Sequence, residues 1–271
     1  MTDSESARMT RILSGLPPAA RELLLGTDWE SLQHAYGSGE DIPVSLCSLV
    51  DEDPEVRSQA LAALDMGVLH QGSLYTATTP AALFVAAILD HPVGCAEHEG
   101  YFPWDDGPPR SLRAALLVWL GQVAESAAYG EDPVRDRTDW QWEPWHEEIR
   151  REHDPDELAA LHACREIRPT LYDAVEPFLS SPDPHVREAA LGTAVPLLLA
   201  PGLADRMPRA AALLRARLGH TAGRRERAWR GARCVEDGHL RPARRLRPSC
   251  AGLRRARSRP CGSATRSRRP P

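Results

Sequence analysis

Lysine is absent from all 271 residues, so each of the 33 basic side chains is an arginine. With abundant alanine, glycine and proline, this composition reflects GC-rich coding more than a mechanism. The six cysteines contain no C-x-x-C pair: Cys47, Cys95 and Cys164 are scattered, and Cys234, Cys250 and Cys261 fall near the end. That spacing offers no disulfide framework and no standard zinc pattern, and it points to reduced thiols. Apolar runs such as Ala189–Pro201 fall short of the ~20 residues that cross a bilayer. No apolar signal segment lies around Met9, so the expected location is the cytoplasm. Also missing are G-x-S-x-G, a Walker A loop, G-x-G-x-x-G after a strand, and H-E-x-x-H. The adjacent acids Asp105/Asp106 and Glu147/Glu148 do not replace them, because acid–base catalysis needs two carboxylates in different environments. The expectation is a protein without catalytic residues, cofactor or metal.

What the chain does contain is a repeat. Asp53-Pro54-Glu55-Val56-Arg57-Ser58-Gln59-Ala60-Leu61 returns 130 residues later as Asp183-Pro184-His185-Val186-Arg187-Glu188-Ala189-Ala190-Leu191. A short apolar helical pattern precedes each copy, over Ile42–Val50 and Leu171–Leu179, and another follows to Leu69 and Leu199. Helix, Pro-bearing turn and second helix, used more than once, spell an all-α, HEAT-like solenoid of helical hairpins. Proline suits the first helical turn, and the small Ala60 lets stacked helices approach closely. Asp53, Pro54, Val56, Arg57 and their counterparts Asp183, Pro184, Val186 and Arg187 are therefore structural. Arg57 is expected to reach an acidic group of a neighbouring repeat.

The other elements follow from caps and periodicity. Residues 1–9 are expected to fray, and Arg11–Leu16 and Ala19–Leu25 to form helices separated by Pro17-Pro18. Thr27-Asp28-Trp29-Glu30 has capping-box spacing, which predicts a helix ending at Gly37 with Trp29, Leu32 and Tyr36 on one face. Ala81–Leu89, Ser111–Ala124, Glu157–Arg165 and Met207–Leu218 read as further helices, with Arg113 near the repeat's Arg position.

Trp29-x-x-Leu32-x-His34-Ala35-Tyr36-Gly37, Asp41-Ile42-Pro43 and His70-Gln71-Gly72-Ser73-x-Tyr75-x-Ala77-Thr78-x-Pro80-Ala81 together resemble a bacterial, actinomycete-type family of HEAT-repeat proteins. The resemblance spans about residues 25–215 and implies an α-solenoid with a binding role, without a settled activity. His34, Tyr36, His70, Gln71, Ser73 and Tyr75 carry much of it. They suit either the satisfaction of inter-helix turns, which is the preferred reading, or a ligand pocket.

Two loop insertions interrupt the array, Asp90–Pro109 with Trp104, and Tyr129–Asp156 with Trp140, Trp142 and Trp145. Tryptophans of this kind either anchor a protein partner or fold back as a small core. His91, Cys95 and His98, joined by His153 or by His162 and Cys164, could hold zinc, but a polar loop collects such residues readily.

Charge divides the chain. Residues 1–220 hold 17 arginines against 35 acids, a balance of −18, and residues 221–271 hold 16 arginines against three acids, +13. The expected organisation is a flexible 1–9, a solenoid over 10–218 and a disordered Arg/Pro-rich tail over 219–271. The tail suits phosphate contacts, an inert segment, or an out-of-frame reading of a GC-rich gene, which is the favoured account. The function expected is a non-enzymatic scaffold or regulatory module, whose acidic surface and Trp-bearing insertions bind a basic protein partner. A nucleic-acid role through the tail is the alternative, as is a HEAT-like lyase or DNA-glycosylase activity, which the acidic core disfavours.

Overall fold

The computed structural model describes residues 3–98, 110–128 and 155–216. These residues are predominantly helical. In chain order the helices are α1 (Asp3–Gly15), α2 (Pro18–Gly26), α3 (Ile42–Ser48), α4 (Pro54–Val68), α5 (Thr78–Ala87) and α6 (Leu112–Ala127). Then come α7 (Pro155–Glu166), α8 (Arg168–Val175) and α9 (Pro184–Leu197), and residues 207–216 are also helical. Two short antiparallel pairs join them, β1 (Gln33–His34) with β2 (Gly37–Ser38), and β3 (Glu97–His98) with β4 (Arg110–Ser111).

Each Asp-Pro pair starts a helix for a local reason. Asp53 Oδ1 accepts the Glu55 amide at 2.9 Å, and Asp183 Oδ1 accepts the His185 and Val186 amides at 2.8 and 3.4 Å. The proline that follows has no amide hydrogen and stands in the first turn, where the helix requires none. Ser111 caps α6 through its hydroxyl, which accepts the Ala114 amide at 3.4 Å.

Consecutive helices pack against each other: α3 with α4, α5 with α6, and α8 with α9. The first members touch one another, α5 lying against both α3 and α8, while α6 and α9 form the most extensive helix pair. Helix α7 lies against α5 and α6, and α2 packs on α5. A continuous apolar core runs through these contacts, with Leu46, Leu64, Phe84, Leu117, Leu120 and Leu171 fully buried.

The close approach of α6 and α9 depends on Gly121. A Cβ built there would meet Thr193 Oγ1 at 3.0 Å, and that hydroxyl lies within hydrogen-bond distance of two carbonyls, Leu117 (2.6 Å) and Ala189 (2.9 Å), between which its one proton is shared. A bulky side chain would force the helices apart. Gly121→Leu is expected to cost roughly 3 kcal/mol by overpacking, read as a lower urea midpoint.

Three expectations require correction. The first concerns the N-terminus: α1 starts at Asp3 within the stretch expected to fray. Met9, Ile12 and Leu13 pack on the core, and Arg8 Nε donates to Asp51 Oδ2 at 2.6 Å, giving this polar helix a tertiary anchor. The second concerns residues 29–36, which form a 3-10 turn (Trp29–Ser31) and then the β1–β2 hairpin. Tertiary hydrogen bonds override the local capping signal there: Ala35 N donates to Gly67 O at 2.9 Å, and Ala77 N to Gln33 O at 3.1 Å.

The third concerns the arginines. Among the described residues Arg57 reaches no acidic side chain; its Nη1 donates to the carbonyls of Asp51 (2.8 Å) and Glu52 (2.9 Å) in its own hairpin turn. Its Nη2 extends to the Glu97 carbonyl at 3.4 Å. Arg187 bonds in the same way to Ser181 and Pro182 carbonyls, and Arg113 Nε donates to Leu89 O at 2.6 Å. The guanidinium is needed because carbonyls at the end of a helix lack amide partners, and a planar fork can satisfy two at once.

Candidate functional site

The two sequence-distant segments behind the family resemblance meet in space. The β1–β2 hairpin lies over the last turn of α4 and the 3-10 turn His70–Gly72. Trp29 is its foundation: the indole is buried, and its Nε1 donates to Leu24 O at 3.0 Å. Gly39 then passes so close to Trp29 O that a Cβ would lie 3.0 Å away. From the α4 side, Gly67 leaves room for the His34 ring. Gln33 N donates to Thr76 Oγ1 at 2.7 Å, and Thr78 Oγ1 donates to Val68 O, so both ends of the site are tied.

His34 is nearly enclosed and engaged at both nitrogens. Nε2 lies 3.2 Å from Asp41 Oδ1, and Nδ1 accepts the Tyr36 amide at 3.4 Å. This imidazole satisfies the turn of the β1–β2 hairpin, not an inter-helix turn. Tyr36 behaves differently. The residue is 65% exposed, whereas Trp29, expected to share a helix face with it, is buried. The rings of His34 and His70 meet it edge-on, with centroids 6.2 and 5.6 Å away, and its hydroxyl lies 3.5 Å from His70 Nδ1. The turn beneath is sharp: Gln71 has φ 53° and Gly72 φ 82°. Gly72 suits such a backbone, whereas Gln71 adopts it at some steric cost.

Two carboxylates belong to the histidines beside this ring: Asp41, 67% exposed at its side chain, on His34 Nε2, and Asp65, which lies within electrostatic reach of His70. Burial pushes the Asp65 carboxyl above its usual range, and His70 partly opposes that rise. Sequence reasoning passed over Asp65 and the exposed Met66, since both sit inside an otherwise core-forming helix.

Comparison with known proteins gives no match, whether to a family model, a curated protein or a solved structure. The site is therefore read from its own geometry.

The zinc expectation finds its residues employed separately. His91 Nδ1 accepts the Val93 amide at 3.3 Å, Cys95 lies 3.5 Å from Arg113 Nη1, and His98 is buried with Nδ1 3.4 Å from Ser58 Oγ. His162 is exposed on α7, while Cys164 on the same helix is buried against Thr79 Oγ1 at 3.3 Å. Among the described residues no three His, Cys, Asp or Glu side chains are placed to share a metal ion. His153, Trp104, Trp140, Trp142 and Trp145, the acid pairs, and the arginine-rich stretch from residue 219 lie outside the described residues. The first insertion does leave and return at one place, because His98 pairs with Arg110. No helix among the described residues is long and apolar enough to cross a membrane.

Burial pushes the Cys47 and Cys164 thiols up to about 11, with Thr79 slightly opposing the rise at Cys164. At neutral pH neither should be alkylated in the folded chain, while the exposed Cys95 should be. Peptide mapping after iodoacetamide treatment checks this, with and without denaturant. The raised values also fix a pH dependence. Unfolding releases both thiols to ionise, so their contribution to stability is complete below the unfolded value of 9.0 and is lost as pH rises towards 11. Cys47→Ala and Cys164→Ala should each flatten the alkaline part of the stability curve.

Proposed function

We propose that this chain is a HEAT-like array of helical hairpins that serves as a non-enzymatic protein-binding scaffold, and that its partner is a basic protein. The observation that carries the reading is the exposed Tyr36, held on a hydrogen-bonded hairpin beside His34, whose Nε2 lies against the exposed Asp41. A tyrosine mounted on rigid backbone supplies contact area at little cost in conformational entropy. The surplus of 18 acids over arginines in residues 1–220 adds a field that favours basic partners.

Support for the array comes from two features: three consecutive helix pairs whose first members touch in succession, and the arginines that tie turn carbonyls at Arg57, Arg113 and Arg187. The resemblance to actinomycete-type HEAT-repeat proteins is consistent with both. A cytoplasmic location belongs to the same proposal. Trp104, Trp140, Trp142 and Trp145 are proposed as additional partner contacts.

The test is affinity isolation of the full chain from cells at low ionic strength, with mass spectrometry of what it retains. A basic protein should be retained, released by about 0.5 M salt because screening shortens to a few ångströms, and held less well by Trp142→Ala. Retention of nothing above background, or of nucleic acid alone, contradicts the scaffold reading.

A further inference from the structure

We propose that the helix over residues 207–216 is a strap that opens as a unit while the helical array stays folded, held shut by Glu176 gripping Arg206 and Arg209. The strap is independent of the scaffold reading and adds a conformational device at the last of the described helices.

The first observation is how little apolar contact holds this helix. Of residues 207–216 only Ala210 is buried, with Ala211, Leu213 and Leu214 partly so, and the other six are exposed, Met207 among them. Helix α9 before it buries six side chains, Ala190 and Leu197 completely. Apolar burial ties a helix into the cooperative unit, so the segment with least of it opens at the lowest cost.

The second is the grip itself. Glu176 begins the 3-10 turn Glu176–Ser180 that follows α8, and both its oxygens are taken. Arg206 Nη1 donates to Oε2 at 2.6 Å, and Arg209 Nη1 donates to Oε1 at 2.9 Å. The carboxylate side chain is 16% exposed, but the arginines are 42% and 62% exposed. Salt therefore reaches the contact from the strap side and screens it. Arg206 also has Asp205 Oδ2 3.7 Å from its Nε, so it keeps a counter-ion on leaving Glu176.

The third is a polar group left unpaired while the strap is shut. Tyr172 on α8 is fully buried, and its hydroxyl has no hydrogen-bond partner among the described residues. Glu176, one helical turn further on, and both arginines lie within electrostatic reach of that hydroxyl. An unpaired buried donor weighs against the closed arrangement. Moving Arg206 and Arg209 away admits water to it, which brings the closed and open strap closer in free energy than the ion pairs alone would set.

Hydrogen–deuterium exchange of the full chain at about 0.05 M and about 0.5 M salt is the experiment, with rates referred to the same peptides of the unfolded chain. Peptides from 207–216 should be protected at low salt. At high salt they should exchange about three- to tenfold faster, the range that two exposed ion pairs allow, while α9 stays unchanged. Glu176→Gln should give the faster rate already at low salt and lose the response to salt. Tyr172→Phe should move the other way and slow exchange in 207–216 several-fold, because the unpaired hydroxyl is gone. Unaltered protection of α9 establishes that each variant is folded, and the parent chain alone supplies the salt comparison if one is not. No protection of 207–216 at low salt, a rate indifferent to salt and to Glu176→Gln, or exchange that rises only together with α9 overturns the strap. Faster exchange in Tyr172→Phe equally contradicts it.

Discussion

Trp29→Ala is expected to destabilise the chain by about 3–5 kcal/mol, the usual cost of deleting a buried aromatic. The indole is 6% exposed and belongs to the continuous core, and its Nε1 donates to Leu24 O at the end of α2. Removal leaves a cavity under the hairpin and an unpaired carbonyl beside it. The effect should reach the surface, because Gly39 packs on the Trp29 backbone and the hairpin carries Tyr36. Equilibrium urea unfolding measures the loss. Trp29→Phe separates its components: it keeps much of the packing and should forfeit only about 1 kcal/mol for the missing hydrogen bond.

The second large effect is at Arg57, whose side chain is 4% exposed and crosses the turn between α3 and α4. Arg57→Ala would leave the carbonyls of Asp51, Glu52 and Glu97 without this donor. Hydrogen bonds from charged groups contribute about 1.5–3 kcal/mol each, and they are not additive, so a loss of roughly 3 kcal/mol is expected. Arg57→Lys should recover only part of it, since one ammonium cannot reproduce the planar fork. The equivalent Arg187→Ala should cost less, about 1 kcal/mol, because that side chain is half-buried and water can reach the released carbonyls. Equal losses at the two positions would contradict this account of the turn.

How much of this was legible in the sequence differs from place to place. Asp53-Pro54 and Asp183-Pro184 announced their helices, because an N-cap and a first-turn proline act within four residues. The apolar periodicity around Ala60 and Ala190 likewise located buried faces. Residues 29–38 were misjudged because capping-box spacing is a local signal, while the hairpin is held by Gly67 and Ala77, more than 30 residues away. Arg57 was assigned to the right structural class and the wrong acceptor: its charge suggested a carboxylate, but a turn exposes carbonyls that no sequence pattern marks.

The candidate site was half legible. His34, Tyr36 and His70 were singled out together, yet the outward direction of Tyr36 followed only from the hairpin. Asp65 had no signal at all, since a carboxylate inside an apolar helix reads as a solvated face until a partner turn is placed over it. The tryptophans of the second insertion and the arginine-rich stretch fall outside the described residues, so those expectations stand where the sequence left them.

The central claim is that the chain binds a basic protein partner through the acidic surplus of residues 1–220. Affinity isolation of the full chain from cells, at low salt and at about 0.5 M salt, tests it most directly. The account predicts that a basic protein is retained at low salt and released at high salt. Retention of nothing above background, or of an acidic protein that high salt does not release, would contradict it.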